Sequence, residues 1–557
     1  MNVLLPYWSH PYGGEHHKLF ERNKVKKMEE KLFLGIEGSS QSTTAVVIDG
    51  KNVVHRESVK YDDIQPPGYI LKDGFWELEG NVVLGSPVVW TMGLDHILTG
   101  IPKEMRKNIA AVSGSGQQHG SVLLRMPIST IVNSLDPSQP LTGQLIDRFA
   151  FTRTDTIRGD SRYTAAVWKD SSTTSQMEEI IEAVGGSLRI VDLTGGGAFE
   201  RLTGPQIRKF EQMYGNAWHD TKEVHLVSSF HYGLLTGQAK VDPGDAGGMM
   251  LMNVDRRAWS KILTRATATN LLIRLPNIGA ADQLSGATSN YIVNRFGLDA
   301  SVAPFSGDNP NSLVGVVLTG DGDIGISLGT SDTVFGSMGA SKKWDYSGGT
   351  CVFGDPKEFN HNMYLACWKN GSTVREKIAK EFGMDWAAVS QYLLDTNPDP
   401  KKMAVYWHEA EIAPKTSKPL TDRSPGFENG DMYNIKAMVE YKIFSMMAKL
   451  EAMGIEPKRL FVTAGASDND GLVQTIADIT GKEVYRRDVS DSATLGAALR
   501  ARHAYLNEDQ PTPWNEVLSP FETVSKTFTP NSARHAVYQG MFEAYKQFEA
   551  AAAAKAR

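Results

Sequence analysis

Short apolar runs alternate with longer amphipathic stretches along the chain. The apolar runs are rich in β-branched and aromatic residues and lead into turn residues, which is typical of strands. They lie at 33–36, 44–48, 109–113 and 459–463. The amphipathic stretches repeat apolar side chains at helical spacing, and they lie at 176–183, 434–453, 468–480 and 491–504. Strands that alternate with helices in this way predict an α/β fold.

One strand–turn–strand pattern occurs twice, 290 residues apart. Residues 33–40 align with 323–330, which places a Gly-Ile pair at the same position of each first strand. Ser39-Ser40 of the first copy corresponds to Gly329-Thr330 of the second, where Ser331 follows. Turns of this composition offer backbone N–H groups and hydroxyls that can hold phosphate oxygens. The repeat predicts a duplicated fold whose halves each present a phosphate-binding turn to one cleft.

An aspartate lies shortly before the second copy. Asp308 stands between a glycine and an Asn-Pro pair. A carboxylate held beside a phosphate-binding turn can accept the proton of an alcohol that attacks phosphorus. The same Asp-Asn-Pro sequence also fits an ordinary surface turn, in which the carboxylate has no chemical role. The local sequence leaves both interpretations open.

A third turn of small residues follows the apolar run at 459–463. Its sequence is Ala464-Gly465-Ala466-Ser467, and the helix predicted over 468–480 begins directly after it. Small residues let a flat ring approach the backbone, and the N-terminus of a helix carries a partial positive charge. The junction suits a nucleotide, although ordinary α/β packing uses the same strand-to-helix connection.

Seven motifs, in this order along the chain, resemble those of the FGGY carbohydrate kinases and, among these, the eukaryotic type of xylulose kinase. They are Gly116-Gln117-Gln118-His119-Gly120, Asp170-Ser171-Ser172-Thr173-Thr174, Phe199-Glu200-Arg201-Leu202-Thr203-Gly204, Ser306-Gly307-Asp308-Asn309-Pro310, Ser327-Leu328-Gly329-Thr330-Ser331, Trp368-Lys369-Asn370-Gly371-Ser372 and Ala464-Gly465-Ala466-Ser467. The resemblance runs from about Leu32 to the final helix. The first two motifs carry most of the likeness to the xylulose branch.

The resemblance implies ATP-dependent phosphorylation of D-xylulose at O5, giving D-xylulose 5-phosphate. It also implies an α/β fold of two actin-like (ribonuclease-H-like) domains around a central cleft for nucleotide and sugar. Asp308 falls on the position of the family's general base. The positions that hold the sugar correspond to His119, Arg201, Asp308 and Asn309. These side chains supply the donors and acceptors that a polyol needs.

Each of these residues also has an interpretation without the family. His119 fits a structural histidine at the end of a strand, and Arg201 fits an ion pair with Glu200.

A kinase of the same fold for another ketose or polyol stays open as a second function. A sugar-binding member of the family with weak or no kinase activity is the third.

The cofactors that the resemblance implies are ATP and Mg²⁺. The candidate nucleotide-binding residues lie in the three turns described above and are Ser39, Ser40, Gly329, Thr330, Ser331, Gly465, Ala466 and Asn469. Glu37 is the candidate residue for magnesium, at a position where the family usually has Asp. Mg²⁺ demands near-octahedral geometry at roughly 2.1 Å, and the extra methylene moves the carboxylate outward by about 1–1.5 Å. This departure is the main support for a weakly active protein.

The length of the chain predicts two domains, because 557 residues exceed what one hydrophobic core supports. We expect an N-terminal extension at 1–31, an N-terminal kinase domain at 32–320 and a C-terminal kinase domain at 321–557. The first domain would hold the sugar and the base, and the second would hold the nucleotide and end in a helical tail. A hinge at 319–322 would let the domains close and exclude water, a competing acceptor.

Charge and hydropathy narrow the expected partners. The net charge of −6 gives no basis for nucleic-acid binding, and no apolar run approaches the roughly 18–20 residues of a membrane helix. The two cysteines, Cys351 and Cys367, argue against a disulfide scaffold and for a reducing compartment, the cytoplasm. We therefore expect D-xylulose and ATP as partners, no nucleic acid or membrane, and a monomer or homodimer.

Overall fold

The computed structural model describes residues 31–149, 163–318, 320, 322–339, 343–487 and 491–557. The expected extension at 1–31 lies outside the described residues except for its last residue, and so do Thr319 and Asp321 of the expected hinge. Strands and helices alternate through the described residues, which confirms the predicted α/β class. Two mixed sheets of seven strands each organise the two halves of the chain.

The strands of the first half are β1 (Leu32–Gly38), β2 (Ser42–Ile48), β3 (Val53–Lys60), β4 (Trp76–Leu78), β5 (Val82–Gly85), β6 (Ile109–Gly116), β7 (Ser121–Leu124), β8 (Ala165–Ala166), β9 (Glu223–Leu226), β10 (Lys240–Val241), β11 (Met252–Asn253), β12 (Ala258–Trp259), β13 (Asn277–Ile278), β14 (Gly286–Ala287), β15 (Ser301–Val302) and β16 (Ser306–Gly307). The helices of this half are α1 (Tyr61–Ile64), α2 (Pro87–Gly100), α3 (Lys103–Arg106), α4 (Ile128–Asn133), α5 (Leu141–Leu145), α6 (Thr174–Val184), α7 (Ser187–Thr194), α8 (Thr203–Met213), α9 (Gly215–Asp220), α10 (Val227–Thr236), α11 (Pro243–Gly247), α12 (Lys261–Thr267), α13 (Asn290–Phe296) and α14 (Asp308–Gly315).

The first sheet has the strand order β14-β15-β6-β1-β2-β3, with β16 also paired to β6. β1 is antiparallel to β2 and parallel to β6. Alternate side chains of β1 reach opposite faces of the sheet: Leu34 and Ile36 pack with residues of α2 and α10, whereas Phe33 packs with residues near the C-terminus. Both faces of the central strands are therefore buried.

The strands of the second half are β17 (Asp323–Leu328), β18 (Asp332–Gly339), β19 (Thr350–Gly354), β20 (Asn362–Trp368), β21 (Ala404–Trp407), β22 (Leu420–Arg423), β23 (Arg459–Thr463), β24 (Val484–Arg486) and β25 (Lys526–Phe528). Its helices are α15 (Ser372–Glu381), α16 (Trp386–Asp395), α17 (Asn434–Ala452), α18 (Asp470–Thr480), α19 (Ser492–Asn507), α20 (Trp514–Leu518) and α21 (Ser532–Lys555).

The second sheet repeats the arrangement of the first. Its strand order is β19-β20-β18-β17-β23-β24-β25, and β17 is antiparallel to β18 and parallel to β23. β1 and β17, the strands aligned by the internal repeat, thus occupy equivalent positions in the two sheets. This equivalence confirms the predicted duplication. The predicted helices are also confirmed, and their ends differ from α6, α17, α18 and α19 by a few residues.

Helix α19 belongs to the second half of the sequence but packs on the first sheet. A Cβ on Gly35 of β1 would lie 2.2 Å from the carbonyl oxygen of Thr494, and a Cβ on Gly496 would lie 1.9 Å from that of Asn311 in α14. Such distances show that α19 is pressed against both β1 and α14, and that only glycine fits at these positions. The packing of α14 on α19 is one of several contacts between the two halves, and another is made by Arg257 with the carbonyl oxygens of Phe359 and His361. The division of the chain at residue 320 stays a prediction.

Candidate active site

Asp308 opens a helix that borders a cleft. β16 leads into α14, Gly307 precedes the helix, and Asn309-Pro310 lies in its first turn. Proline is tolerated there because the first N–H groups of a helix have no intrahelical acceptor. Asp308 and Asn309 line a cavity of about 340 Å³. The surface-turn interpretation is therefore wrong, since the Asp-Asn-Pro sequence begins a helix at the wall of a cleft.

Backbone donors hold the carboxylate of Asp308. Its Oδ1 accepts the N–H of Asn309 at 2.9 Å, and the backbone N–H of Gln118 also donates to it. Burial raises the pKa of Asp308 to about 6, and backbone hydrogen bonds from Asn309, Gln118 and Asp308 itself partly oppose this effect. A carboxylate with this pKa is mostly ionised at neutral pH and is a better proton acceptor than an exposed aspartate.

His119 follows β6 in a strained backbone conformation. Its φ of 71° lies in the left-handed region, which residues other than glycine rarely adopt. Its Nδ1 is 2.8 Å from the carbonyl oxygen of Gly248. Because a carbonyl only accepts hydrogen bonds, Nδ1 donates the proton and Nε2 is left as an acceptor. Burial and the nearby charge of Arg201 lower the pKa of His119 to about 3, so the ring is neutral.

Arg201 lies beside His119 at the boundary between the two halves of the chain. Its guanidinium covers the ring of Phe199, with 4.6 Å between Cζ and the ring centroid. Its Nη2 is 3.9 Å from Sγ of Cys351, which belongs to β19 in the second half. Within the described residues, its guanidinium makes these two contacts and no ion pair with Glu200.

Gln118 joins the turn of His119 to the start of α14. Its Oε1 accepts a hydrogen bond from Nδ2 of Asn309 at 2.5 Å, and its backbone N–H donates to Asp308. A Cβ on Gly307 would lie 2.5 Å from Cγ of Gln118, so the glycine makes this contact possible. The sequence analysis did not single out Gln118, although it lies inside the Gly-Gln-Gln-His-Gly motif. The structure thus brings together the four predicted sugar-site residues His119, Arg201, Asp308 and Asn309.

Glu37 lies at the end of β1 and lines the same cavity as Asp308. Its Oε2 accepts a hydrogen bond from Oγ1 of Thr494 at 2.5 Å. Burial raises the pKa of Glu37 to about 7, the Thr494 hydroxyl lowers it, and the charges of Asp308 and Asp491 raise it further. A carboxyl in this situation gains a proton or a cation easily, because either one relieves the burial of its charge.

The donor set of the cavity fits magnesium. Mg²⁺ prefers oxygen ligands and usually keeps several waters beside one or two carboxylates. Glu37 and Asp308 supply two carboxylates, and the cavity of about 340 Å³ leaves room for water. No group of three or more His, Cys, Asp or Glu side chains within the described ranges is arranged to hold a metal. The arrangement therefore suits a hydrated ion better than one enclosed by protein ligands.

The first of the turns predicted to bind phosphate connects β1 to β2 beside this cavity. Ser39 lines the cavity, and its N–H and hydroxyl both donate to the carbonyl oxygen of Ser42. Ser40 is turned differently: its Oγ accepts the indole N–H of Trp168 at 2.7 Å. The structure therefore places Ser39 at the cavity and leaves Ser40 outside its lining residues.

The cavity beside Asp308 has further polar lining that the sequence analysis did not single out. These residues are Ser42, Thr44, Ser312, Asp491 and Ser492. They come from both halves of the chain, and no local pattern connects them. Only the packing of α19 against β1 and α14 reveals them.

A second and larger cavity lies between β17, α16 and the turn before α18. Its volume is about 1110 Å³, at the upper end of what ligand pockets span, and Gly329, Thr330, Gly465, Ala466 and Asn469 line it. A Cβ on Gly465 would have no atom within 4 Å, so this glycine leaves open space in the cavity. Ser331 is not among the lining residues. Arg486 is, and the sequence analysis missed it.

Asn469 shapes the second cavity through its own hydrogen bonds. Its Oδ1 accepts the N–H of Leu472 at 2.9 Å and so caps α18, and its Nδ2 donates to the carbonyl oxygen of Trp386 at 3.0 Å. The cap leaves the N-terminus of α18 at the cavity wall, where its partial positive charge favours an anionic group. The lining also contains the carboxyl groups of Glu376, Asp468 and Asp470 beside Arg486, so the size of the cavity and its small lining residues are what suit a nucleotide, as the turn sequence predicts.

Family models identify the class of protein to which this geometry belongs. Residues 154–315 match the N-terminal domain of the FGGY family of carbohydrate kinases, and residues 409–505 match its C-terminal domain. Xylulose kinase 2 of Arabidopsis thaliana is 37% identical over 508 residues, which cover 86% of this chain and 88% of that protein. The chain belongs to the FGGY family of carbohydrate kinases and is a xylulokinase-like enzyme.

Other relatives agree with this assignment. Xylulose kinase of Mus musculus is 33% identical over 545 residues, covering 95% of this chain and 96% of that protein. The crystal structure of xylulose kinase from Rhodospirillum rubrum superposes with a TM-score of 0.75 over 94% of this chain and 99% of that chain, at 16% identity. The superposition confirms the two-domain, actin-like fold. In the part of the chain that the structure describes, no helix is long and apolar enough to cross a membrane.

Proposed function

We propose that this kinase transfers the γ-phosphoryl group of ATP to O5 of D-xylulose, producing D-xylulose 5-phosphate and ADP. The observation that carries the proposal is the meeting of Asp308, Asn309 and His119 through Gln118, beside a cavity that Glu37 and Ser39 also line. The relatives named xylulose kinase support the choice of sugar.

The sugar is held by polar groups of fixed orientation. Nε2 of the neutral His119 ring accepts a hydrogen bond from one hydroxyl, because Nδ1 is engaged with Gly248. Arg201 donates to another sugar oxygen, and its packing against Phe199 limits the directions in which it can donate. Asn309 is fixed by Gln118 and presents its amide oxygen to the sugar. These contacts orient the acceptor hydroxyl toward Asp308.

Asp308 acts as the general base of the transfer. Its carboxylate accepts the proton of the O5 hydroxyl as that oxygen forms a bond to the γ-phosphorus. The bond between the γ-phosphorus and the bridging oxygen of ADP breaks, and ADP leaves with those electrons. Phosphoryl transfer depends mainly on positioning and charge stabilisation, so the fixed orientation of Asp308 matters more than its basicity.

The second cavity holds the nucleotide in this proposal. Gly465 and Ala466 leave space for the flat base, and Gly329 and Thr330 approach the phosphates. Ser39 of the first turn faces the transferred phosphoryl group, whereas the Ser40 hydroxyl is bonded to Trp168 and Ser40 contributes through its backbone. Ser331 also contributes through its backbone. Magnesium, when bound, neutralises phosphate charge. Glu37 would hold its waters with Thr494 fixing the carboxylate, so that the longer side chain reaches the ion through water.

The two kinase domains at 32–320 and 321–557 close over the substrates in this proposal. Contacts of Arg201 with Cys351 already cross the boundary at the sugar site. Closure excludes water, which would otherwise accept the phosphoryl group. We assign the enzyme to the cytoplasm because Cys351 and Cys367 are free thiols, as a reducing compartment maintains them. We expect it to be a monomer or homodimer.

Coupled ADP release tests the proposed function. The assay supplies Mg-ATP with D-xylulose, D-ribulose, L-xylulose, glycerol or no sugar, and we expect release only with D-xylulose. Release with a different acceptor would keep the kinase and replace the sugar. An enzyme that binds D-xylulose in calorimetry but releases no ADP with any acceptor would overturn the proposal and identify a sugar-binding protein.

A further inference from the structure

Arg500 is a completely buried arginine that joins α19 to the first half of the chain. Its Nη1 donates to Oδ1 of Asn311 at 3.0 Å, and its Nη2 donates to Oδ2 of Asp242 at 3.0 Å. The same Nη2 also donates to the carbonyl oxygens of Ala281 and Pro304 at 3.2 and 3.1 Å. One guanidinium from the second half of the sequence thus contacts four separate points of the first.

Two of these partners support the segment that carries Asp308. Asn311 lies one turn after Asp308 in α14, and its Nδ2 donates to the carbonyl oxygens of Gly307 and Gly114 at 2.9 and 3.1 Å. Pro304 precedes β16, the strand that leads into α14. Arg500 therefore holds both ends of the short segment from Pro304 to Asn311, and Asp308 lies between them.

The third partner belongs to the helix next to this segment. Asp242 caps α11, since its Oδ1 accepts the N–H of Asp245 at 2.9 Å. A Cβ on Gly244 of α11 would lie 2.5 Å from Oγ of Ser306, so α11 is in direct contact with β16. The ion pair between Arg500 and Asp242 thereby presses α11 against the strand that precedes Asp308. Neither charge is exposed to solvent, so removal of either partner would leave the other charge buried and unpaired.

The chemistry of these contacts requires arginine. A guanidinium offers five N–H donors in a rigid plane, whereas an ammonium is a single flexible point of charge. Lysine at this position keeps the charge for Asp242 but cannot reach Asn311 and the two carbonyl oxygens with the same geometry. Such a change loosens the Asp308 segment without removing any group that touches substrate.

We propose that Arg500 is a positioning residue for phosphoryl transfer: it fixes the direction of the Asp308 carboxylate by holding the segment from Pro304 to Asn311 against α11. This inference rests on the proposed role of Asp308 as the base. It predicts that substitution of Arg500, a residue of the second half of the chain, changes kcat and the KM for D-xylulose. The Kd of the nucleotide should stay unaffected.

Arg487 provides a matched control. Its side chain is only 1% exposed, and it donates to the carbonyl oxygen of Val317 at 3.0 Å and to Oε1 of Glu522 at 2.7 Å. It therefore contacts the chain beyond the C-terminal end of α14, whereas Arg500 contacts the segment at its N-terminal end. Arg487→Lys removes a comparable set of buried hydrogen bonds without touching the Asp308 segment.

The experiment compares wild type, Arg500→Lys and Arg487→Lys in the ADP-release assay, with thermal melting and ADP calorimetry. For Arg500→Lys we expect kcat to fall at least tenfold and KM for D-xylulose to rise, while the Kd of ADP stays within twofold of wild type. For Arg487→Lys we expect kcat within threefold of wild type at a similar melting temperature.

Several results would overturn the inference. One is a kcat of Arg500→Lys within threefold of wild type. Another is an equal loss of kcat in Arg500→Lys and Arg487→Lys. If Arg500→Lys does not fold, Asp242→Asn weakens the same contact from α11 and must give the same separation of kcat from ADP affinity. Failure of both variants to fold would make the contact purely structural. A wild-type protein without sugar-dependent ADP release would instead refute the proposed function.

Discussion

At the scale of single residues, the site is defined by buried carboxyl groups with raised pKa values. Asp308 and Glu37 line one cavity, and burial raises the pKa of each, to about 6 and about 7 respectively. His119 is held neutral by burial and by the charge of Arg201. Each residue thus has a protonation state that its neighbours determine, and each state suits one task in the proposed reaction.

Replacement of Asp308 by asparagine removes the base and keeps the shape of the side chain. We expect kcat to fall by about 10²–10⁴, the usual contribution of a general base, because Asn cannot accept the proton of O5. Calorimetry should show D-xylulose binding within about tenfold of wild type, since the other sugar contacts stay in place. Activity close to wild type would remove Asp308 from this role.

The pH profile of the reaction should report the same carboxyl group. The base must be ionised to accept a proton, and the pKa of Asp308 is raised from 3.8 to about 6. The value of kcat/KM for the sugar should therefore decline as pH falls through about 6, approaching tenfold per unit at lower pH. A profile that stays flat down to pH 4.5, in an enzyme that remains folded by circular dichroism, would contradict this assignment.

Glu37 should control the magnesium requirement. Replacement by glutamine keeps an oxygen that can accept from Thr494 but removes the charge. We expect the Mg²⁺ concentration for half-maximal rate to rise roughly tenfold or more, in line with losses seen at metal-orienting positions. Thr494→Ser, which retains the hydroxyl, is the control and should change this concentration by less than about threefold. An unchanged requirement in Glu37→Gln would exclude Glu37 from the metal site.

At the scale of secondary-structure elements, the contact between α14 and α19 organises the molecule. The two helices meet through glycines, and a Cβ on Gly315 would lie 1.8 Å from the carbonyl oxygen of Ser492. α14 carries Asp308, and α19 carries Thr494 and Arg500. The close approach of these helices therefore brings Thr494 to Glu37, and Arg500 to the segment that carries Asp308.

Gly496→Ala tests this contact. Its Cβ would lie 1.9 Å from the carbonyl oxygen of Asn311, a backbone atom that cannot turn away. We expect a loss of about 1–3 kcal/mol in the free energy of unfolding from overpacking. The control is Gly540→Ala in α21, where a Cβ meets no atom within 4 Å. Denaturant unfolding should show this control stabilised by about 0.5–1 kcal/mol, as Ala is favoured over Gly within helices. Equal effects of the two substitutions would refute the tight contact.

At the scale of the whole molecule, two sheets of the same arrangement carry two different cavities. The first cavity, of about 340 Å³, is lined by residues of both halves, and the second, of about 1110 Å³, lies within the second half. Phosphoryl transfer requires the contents of these cavities to meet, so that the γ-phosphorus comes within reach of O5. A rotation of the halves about the contact of α14 with α19 would accomplish this.

Small-angle scattering can detect such closure. We expect the radius of gyration to decrease when D-xylulose and a non-hydrolysable ATP analogue are both present, because each ligand contacts a different half. Either ligand alone should give a smaller change. A radius of gyration that both ligands together leave unchanged would contradict domain closure and would indicate that the described arrangement is already the reactive one.

The elements, the duplication and the candidate site residues within motifs could all be predicted from the sequence. Periodicity depends on local geometry, so the positions of α6, α17, α18 and α19 could be predicted within a few residues. The repeat at 290 residues placed β1 and β17 in equivalent positions. Asp308, His119, Arg201 and Asn309 could be proposed for the site because they fall in motifs that resemble those of FGGY kinases, and their roles stay predictions.

The surroundings of these residues depend on packing between distant parts of the chain. The tertiary structure placed Gln118 between His119 and Asn309, put Thr494 against Glu37, and turned Ser40 toward Trp168. It also made Asp308 the first residue of α14, which excluded the surface turn that the local sequence had left open. These contacts join residues as many as 457 positions apart. Local sequence cannot specify them, because burial and hydrogen bonding across the two halves depend on how α19 packs on the first sheet.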